Sequence, residues 1–267
     1  MEKPTVAAVV ADLVAEQEAL DAVVAPLAAE EWELATPSPG WAVRDQIGHL
    51  AFFDMTAALA IDDPAGFVAH REAFIAAAFA SADAADRETL GDARAMTAAE
   101  LLDHWRQQRR ALADAAAACT EDARIEWYGP SMGAKSFLTA RLMEAWAHGQ
   151  DIVDTVGARR DATDRLRHIA QLGVITRGWT YVNRGLDIPA GEVRVTLTAP
   201  SGATWKWGPN DADASVVGTA LDFCLVTAQR RNVVDTGLVV EGDVAVDWLA
   251  KAQLFAGPPS DPPTARS

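Results

Sequence analysis

Two short segments concentrate the side chains that could do chemistry. The first, GWAVRDQIGHL, carries Trp41, Arg44, Asp45 and His49, and the second, RLMEAWAHGQD, carries Arg141, Glu144, His148 and Asp151. Glu144 and His148 stand i,i+4, which at about 100° per helical residue leaves their side chains roughly 40° apart on one face. A carboxylate oxygen and an imidazole nitrogen placed in this way can reach a single ion. A third ligand then has to come from another helix, and His49 is the best candidate. On a helical wheel, Ala140, Met143 and Ala147 border the Glu144/His148 stripe on one side, and Leu142, Ala145 and Ile152 on the other. His49 is flanked by Ala42, Phe52, Phe53 and Thr56. A polar seam in such apolar helices is costly unless its members pair or bind metal. The same spacing suits a simple solvated i,i+4 pair, and Arg141 could form a plain salt bridge to Glu144. Spacing alone leaves these readings open.

These residues need long helices to hold them, and the pattern supplies them. Thr5 to Ala29 reads as a first helix, TPSPGW breaks the chain, and Trp41 to Ala60 reads as a second. Pro64 suits the first turn of a third helix reaching about Ser81. Thr97 with Glu100 forms a capping-box pattern that opens a helix to about Cys119. WYGPSMG is a turn, Lys135 to Val156 the next long helix, and Asp161 to Arg184 a bridging helix.

The character of the chain changes near residue 190. Glu192 to Thr198 alternates like a strand, Thr204 to Trp207 can pair with it across Ser201-Gly202, and Ala214 to Gly218 adds a third strand. Helices follow at Thr219–Gln229 and Asp243–Phe255. The expected fold is therefore mainly α with a smaller α/β part. It comprises a helix bundle over 1–160, a bridging helix with a small α/β domain over 161–256, and an unpacked Pro-rich tail over 257–267.

Composition narrows the partners. The chain has 267 residues, with 23 Lys and Arg against 38 Asp and Glu, a net charge of −15. Such an acidic surface repels phosphate backbones and anionic lipids, so neither nucleic acid nor a membrane is expected as a partner. No apolar run approaches the roughly 18 residues of a membrane span. The opening residues, with Asp12 and Glu16, read as a first helix rather than a signal peptide, which makes the cytoplasm the expected location. Cys119 and Cys224 lie far apart with no C-x-x-C and read as free thiols. His70, His104 and His168 read as structural or solvated. Trp41 and Trp146 adjoin the two segments and either wall a pocket or fill the core. There is no G-x-G-x-x-G, phosphate-binding loop or G-x-S-x-G.

GWAVRDQIGHL is similar to the W-x-[VA]-R-D-x-x-x-H-L segment at the start of helix two in the DinB-like, mycothiol-dependent maleylpyruvate isomerase superfamily. RLMEAWAHGQD resembles that superfamily's second metal segment. The run VVGTALDFCLVTAQRRNVVDTGLVVEGDVAVDWLAKAQLFAGPP resembles an actinobacterial metal-binding branch, sometimes labelled as wyosine base formation proteins. The resemblance implies a DinB-like four-helix bundle holding one divalent metal, usually zinc, on His49, Glu144 and His148, with a compact C-terminal α/β domain. Three protein ligands leave an open position, as in catalytic zinc sites. Asp45, one turn before His49, either orients that imidazole or pairs with a nearby cation.

The implied chemistry is thiolate attack, with mycothiol as the low-molecular-weight thiol co-substrate. That makes the protein a transferase or isomerase acting on a small electrophile. A non-catalytic metal- or ligand-binding protein and a metal-dependent hydrolase are the alternatives. Dianionic maleylpyruvate would call for converging arginines. Arg230 and Arg231 are the nearest candidates for substrate binding, against the plainer reading that they satisfy helix-end carbonyls.

Overall fold

The computed structural model describes residues 4–266, which fall into two compact units dividing between Arg160 and Asp161. Unit 1 contains α1 (Val6–Val24), α2 (Val43–Asp62), α3 (Pro64–Ala80), α4 (Ala82–Ala95) and α5 (Ala98–Ala117). A short hairpin of β1 (Arg124–Ile125) and β2 (Met132–Gly133) then leads into α6 (Ala134–Val156). Helix α1 starts where the Thr5 hydroxyl accepts from Ala8 N. It buries Val6, Val9, Leu13, Leu20 and Val24 at helical spacing, and Glu16 and Gln17 interrupt that stripe, buried themselves.

Helices α1, α2, α5 and α6 form the four-helix bundle, α1 and α2 each packing on both α5 and α6. Leu20, Val24, Ile47, Leu50, Leu101, Trp105 and Ile152 meet in its core. Helices α3 and α4 pack on α2 and on each other. Helix α4 was not expected from the sequence. Its run ADAADRETLGDARA has no continuous apolar stripe, and it forms with Ser81 capping Ala84 N and with Leu90 and Ala93 buried.

Unit 2 begins with α7 (Leu166–Ile175) and α8 (Arg177–Val182), where a single bridging helix was expected. The break falls at Thr176 (φ −88°, ψ 7°), whose hydroxyl donates to Leu172 O at 2.8 Å instead of leaving the backbone to continue undisturbed. Four strands follow: β3 (Val193–Thr198), β4 (Thr204–Trp207), β5 (Ala214–Thr219) and β6 (Val239–Glu241), in the order β4-β3-β5-β6. Strand β3 is antiparallel to β4 and parallel to β5, with Val195 opposite both Trp207 and Val216. Val193, Val195 and Leu197 point to the buried face, as strand alternation requires.

Helices α9 (Ala220–Thr227) and α10 (Asp243–Leu249) complete the unit and are shorter than expected. The unexpected β6 is a three-residue antiparallel edge strand on β5. The Pro-rich segment read as a tail returns along unit 2. Asp261 pairs with Arg184 at 2.9 Å, and Pro263 O accepts from Asn232 Nδ2 at 2.9 Å. Cys119 and Cys224 are free thiols, and burial pushes the Cys224 thiol well up. Among the described residues no helix is long and apolar enough to cross a membrane.

Candidate metal centre

Helix α2 brings His49 to the facing side of α6, which carries Glu144 and His148 one turn apart. His49 Nε2 lies 3.3 Å from Glu144 Oε2, and His148 Nε2 lies 3.0 Å from the same oxygen. One potential ligand atom from each of the three residues lies within 4.8 Å of the others. A tetrahedral zinc with bonds near 2.05 Å would set its ligands about 3.3 Å apart, and these two separations have that scale. The donor set fits a divalent ion: two imidazoles and a carboxylate, with side chains 18, 12 and 25 % exposed for His49, His148 and Glu144.

The surroundings shift His49 and Glu144 in opposite senses relative to burial. Burial, reinforced by the neighbouring His148, pushes His49 down to about 4, which keeps its imidazole neutral at physiological pH. Burial alone would raise the Glu144 carboxyl. Hydrogen bonds and charge from His148 and His49 outweigh it and hold Glu144 well below the usual carboxylate range. A neutral imidazole and an ionised carboxylate are the forms that bind a metal.

The segment before α2 covers this cluster. Gly40, at φ +77°, turns the chain so that Trp41 lies over both histidines, its ring centroid 5.2 Å from His49 and 5.8 Å from His148. Ser38 Oγ donates to Asp151 Oδ2 at 3.3 Å, which ties the same turn to α6 one turn beyond His148. Phe53 closes another side, 4.6 Å from the His49 ring.

The other residues of the two segments have structural partners. Arg44 donates to Glu33 Oε1 at 2.7 Å and to Met96 O, so it fastens the end of α4. Asp45 accepts from Ala42 N at 2.8 Å and from Arg94 Nε at 2.7 Å, which makes it the α2 cap and an ion-pair partner. Arg141 does not pair with Glu144. Its Nη2 donates to Asp54 Oδ1 at 3.1 Å, deep in the bundle. Trp146 is a core residue beneath Arg160, whose guanidinium carbon sits 5.6 Å from its ring.

His70 bonds Tyr128 Oη at 2.9 Å within an aromatic cluster that includes Phe52 and Phe74. Arg230 and Arg231 lie in unit 2, just past α9. Their side chains donate to Ala228 O at 2.7 Å and Arg230 O at 2.6 Å respectively. Sequence reasoning passed over Gln46, whose Oε1 accepts from His148 Nδ1, and Thr36, which Gln46 Nε2 reaches at 2.8 Å. The available signal was a polar residue three positions before His49 on a helix face that is otherwise buried.

Residues 13–153 match the family described as the Mycothiol maleylpyruvate isomerase N-terminal domain. The chain is 46% identical over 250 residues to uncharacterized proteins from two strains of Mycobacterium tuberculosis, covering 94% of this chain and 96% of each relative. Its fold resembles the crystal structure of the mycothiol-dependent maleylpyruvate isomerase, with a TM-score of 0.58 at 16% identity over 89% of this chain and 93% of that one. A histidine-to-alanine variant of that isomerase gives a TM-score of 0.57 at 16% identity, covering 85% and 90% of the two chains. With the family's match spanning more than half of its length, the chain belongs to the DinB-like, mycothiol-dependent maleylpyruvate isomerase superfamily.

Proposed function

We propose that the protein is a metal-dependent enzyme that adds or transfers a low-molecular-weight thiol of the mycothiol type onto a small electrophile. The observation that carries this reading is the convergence of His49, Glu144 and His148 on one point, with Glu144 Oε2 within 3.3 Å of both imidazoles. A divalent ion bound there, with zinc the natural choice for this donor set, supplies Lewis acidity that makes a thiol ionise near neutral pH.

The chain's own residues do the rest. Glu144 brings one negative charge and the two neutral histidines bring none, so the site keeps a net positive charge when loaded and favours an anionic sulfur. Trp41 and Phe53 flank the histidines and limit water beside them. His49, Glu144 and His148 would hold the ion, and an ion held by only three protein groups would be able to activate a thiol.

The test is elemental mass spectrometry on tag-free protein beside His49→Ala, followed by thiol-dependent consumption of model electrophiles. About one zinc per chain, lost in the variant, with turnover that needs added thiol, supports the reading. Turnover that needs no thiol would replace it with a hydrolase. Bound metal without turnover across a thiol panel would replace it with a binding protein.

A further inference from the structure

The hydrogen bonds behind His148 form a chain with a fixed direction. It begins at a backbone carbonyl, Trp41 O, which can only accept. Trp41 O takes a bond from Thr36 N at 2.8 Å and a second from the Thr36 hydroxyl at 2.9 Å. With its proton committed there, the Thr36 oxygen offers lone pairs to Gln46, and Gln46 Nε2 donates to it at 2.8 Å. That settles which way the Gln46 amide faces, because its nitrogen points at Thr36 and its oxygen at His148 Nδ1. An amide oxygen cannot donate, so the proton between them belongs to Nδ1. With that proton held on Nδ1, the neutral imidazole that binds a metal has its lone pair on Nε2, the atom beside Glu144.

We propose that Thr36 and Gln46 are positioning residues that set the tautomer of His148 and so prepare it as a metal ligand. This inference rests on the metal-site reading above. The opposite arrangement is specific and recognisable. Turning the Gln46 amide over would aim its NH₂ at Nδ1 and move the imidazole proton to Nε2, between His148 and Glu144. The Thr36 hydroxyl would have to leave Trp41 O to donate to the amide oxygen, so the threonine is the element that selects against this state. Gln46 is fully buried, so water cannot replace the missing partners.

The relay also explains why Trp41 matters twice. Its carbonyl anchors the direction of the chain, while its ring covers the two imidazoles that the chain prepares. The turn that makes this possible is held to α6 by Ser38 and Asp151. Helix α2, the turn before it and α6 therefore all contribute to the orientation of one ring.

The experiment measures zinc affinity of the full chain by competition with a chromophoric chelator. In parallel, ¹⁵N-edited NMR follows the His148 Nδ1 proton in the zinc-loaded protein. Gln46→Met should weaken zinc binding by about 10- to 100-fold, the usual consequence of losing the outer partner of a histidine ligand. Its Nδ1 proton should exchange with solvent where that of the unmodified protein is protected. Thr36→Val should weaken binding toward the lower end of that range, and Thr36→Ser, which keeps the hydroxyl, should restore it.

Gln46→Glu separates positioning from packing. It buries a charge and should lower the melting temperature, yet it still accepts from Nδ1 and should retain zinc affinity. Equal zinc affinity in Gln46→Met and the unmodified protein would overturn the relay and leave the metal centre standing. Affinity that falls in step with melting temperature across all four variants would also overturn it. An unmodified protein that binds no zinc would remove the metal centre itself, and the relay with it.

Discussion

Two buried polar clusters sit in the same bundle on the same pair of helices, and they are built on opposite plans. Around Asp54 every other helix of the bundle contributes a donor: Gln17 Nε2 from α1 at 2.9 Å, Trp105 Nε1 from α5 at 3.3 Å and Arg141 Nη2 from α6 at 3.1 Å. One carboxylate thus ties α1, α5 and α6 to α2, and its charge is matched by one guanidinium. Around Glu144, by contrast, two histidine nitrogens converge on one carboxylate oxygen, and Gln46 holds the His148 proton on the far nitrogen, Nδ1. In the first cluster the carboxylate is matched by its donors, with Arg141 Nε alone left buried without a partner among the described residues. The second gathers three groups that can each offer a lone pair to one cation. Burial of polar groups alone does not separate structure from site; the balance of donors and acceptors does.

The comparison is easiest to break at Asp54. Asp54→Leu leaves the Arg141 charge buried without its partner and should cost about 3–5 kcal/mol of stability, read from urea unfolding. Adding Arg141→Met to that variant should recover most of the loss, because an apolar pair of similar volume replaces the ions. Failure of the second change to rescue the first would show that Arg141 serves more than Asp54. At the other cluster the loss should be of metal instead. His148→Ala should lose stoichiometric metal, by elemental analysis, while its helical circular dichroism survives. Retained metal at unmodified stoichiometry would sink the site assignment.

Acid sharpens the comparison, because burial and pairing push carboxylates in opposite directions. Asp54 is raised above its ordinary 3.8, since burial outweighs Arg141 and the other donors. Its folded form holds the proton more tightly than the unfolded chain, so its contribution to stability improves as pH falls from its folded value toward 3.8. Asp21 is lowered, chiefly by hydrogen bonds from Arg106 at 2.8 Å, with Arg109 adding its charge. The stability it contributes is fully present above 3.8 and is lost as pH falls through its lower folded value. Asp21→Asn should therefore flatten the acid-side fall in unfolding free energy, and Asp54→Asn should steepen it. Equal pH profiles for the two variants would contradict the opposed directions.

The closeness of Glu144 and His148 was legible in the sequence because helical spacing sets them on one face, while their reading as metal ligands came with the family resemblance. Their second-helix partner followed from the need for a third donor. The Asp54 hub was not legible, since its four members come from four helices and nothing local relates Gln17 to Trp105. The Arg141–Glu144 salt bridge, open as an alternative in the sequence, does not form for the same reason: a neighbour three residues away was the only partner visible, and the bundle supplies Asp54 instead. Helix α4 escaped because its polar run buries little, and the break at Thr176 because a single hydroxyl bonding backward leaves no pattern in the apolar residues.

Asp45 is the smallest and most discriminating case, since it belongs to the same segment as His49 yet is bonded like a member of the Asp54 cluster. One oxygen caps α2 through Ala42 N and the other pairs with the partly exposed Arg94, and neither bond reaches an imidazole. Asp45→Ala should then cost about 1 kcal/mol through the lost cap, the ion pair adding little because one partner is well exposed. Its zinc stoichiometry and the protection of the His148 Nδ1 proton should stay those of the unmodified protein. If zinc is lost while the melting temperature barely moves, Asp45 acts on His49 in a way its bonds do not reveal, and the division between the two clusters would have to be redrawn along α2.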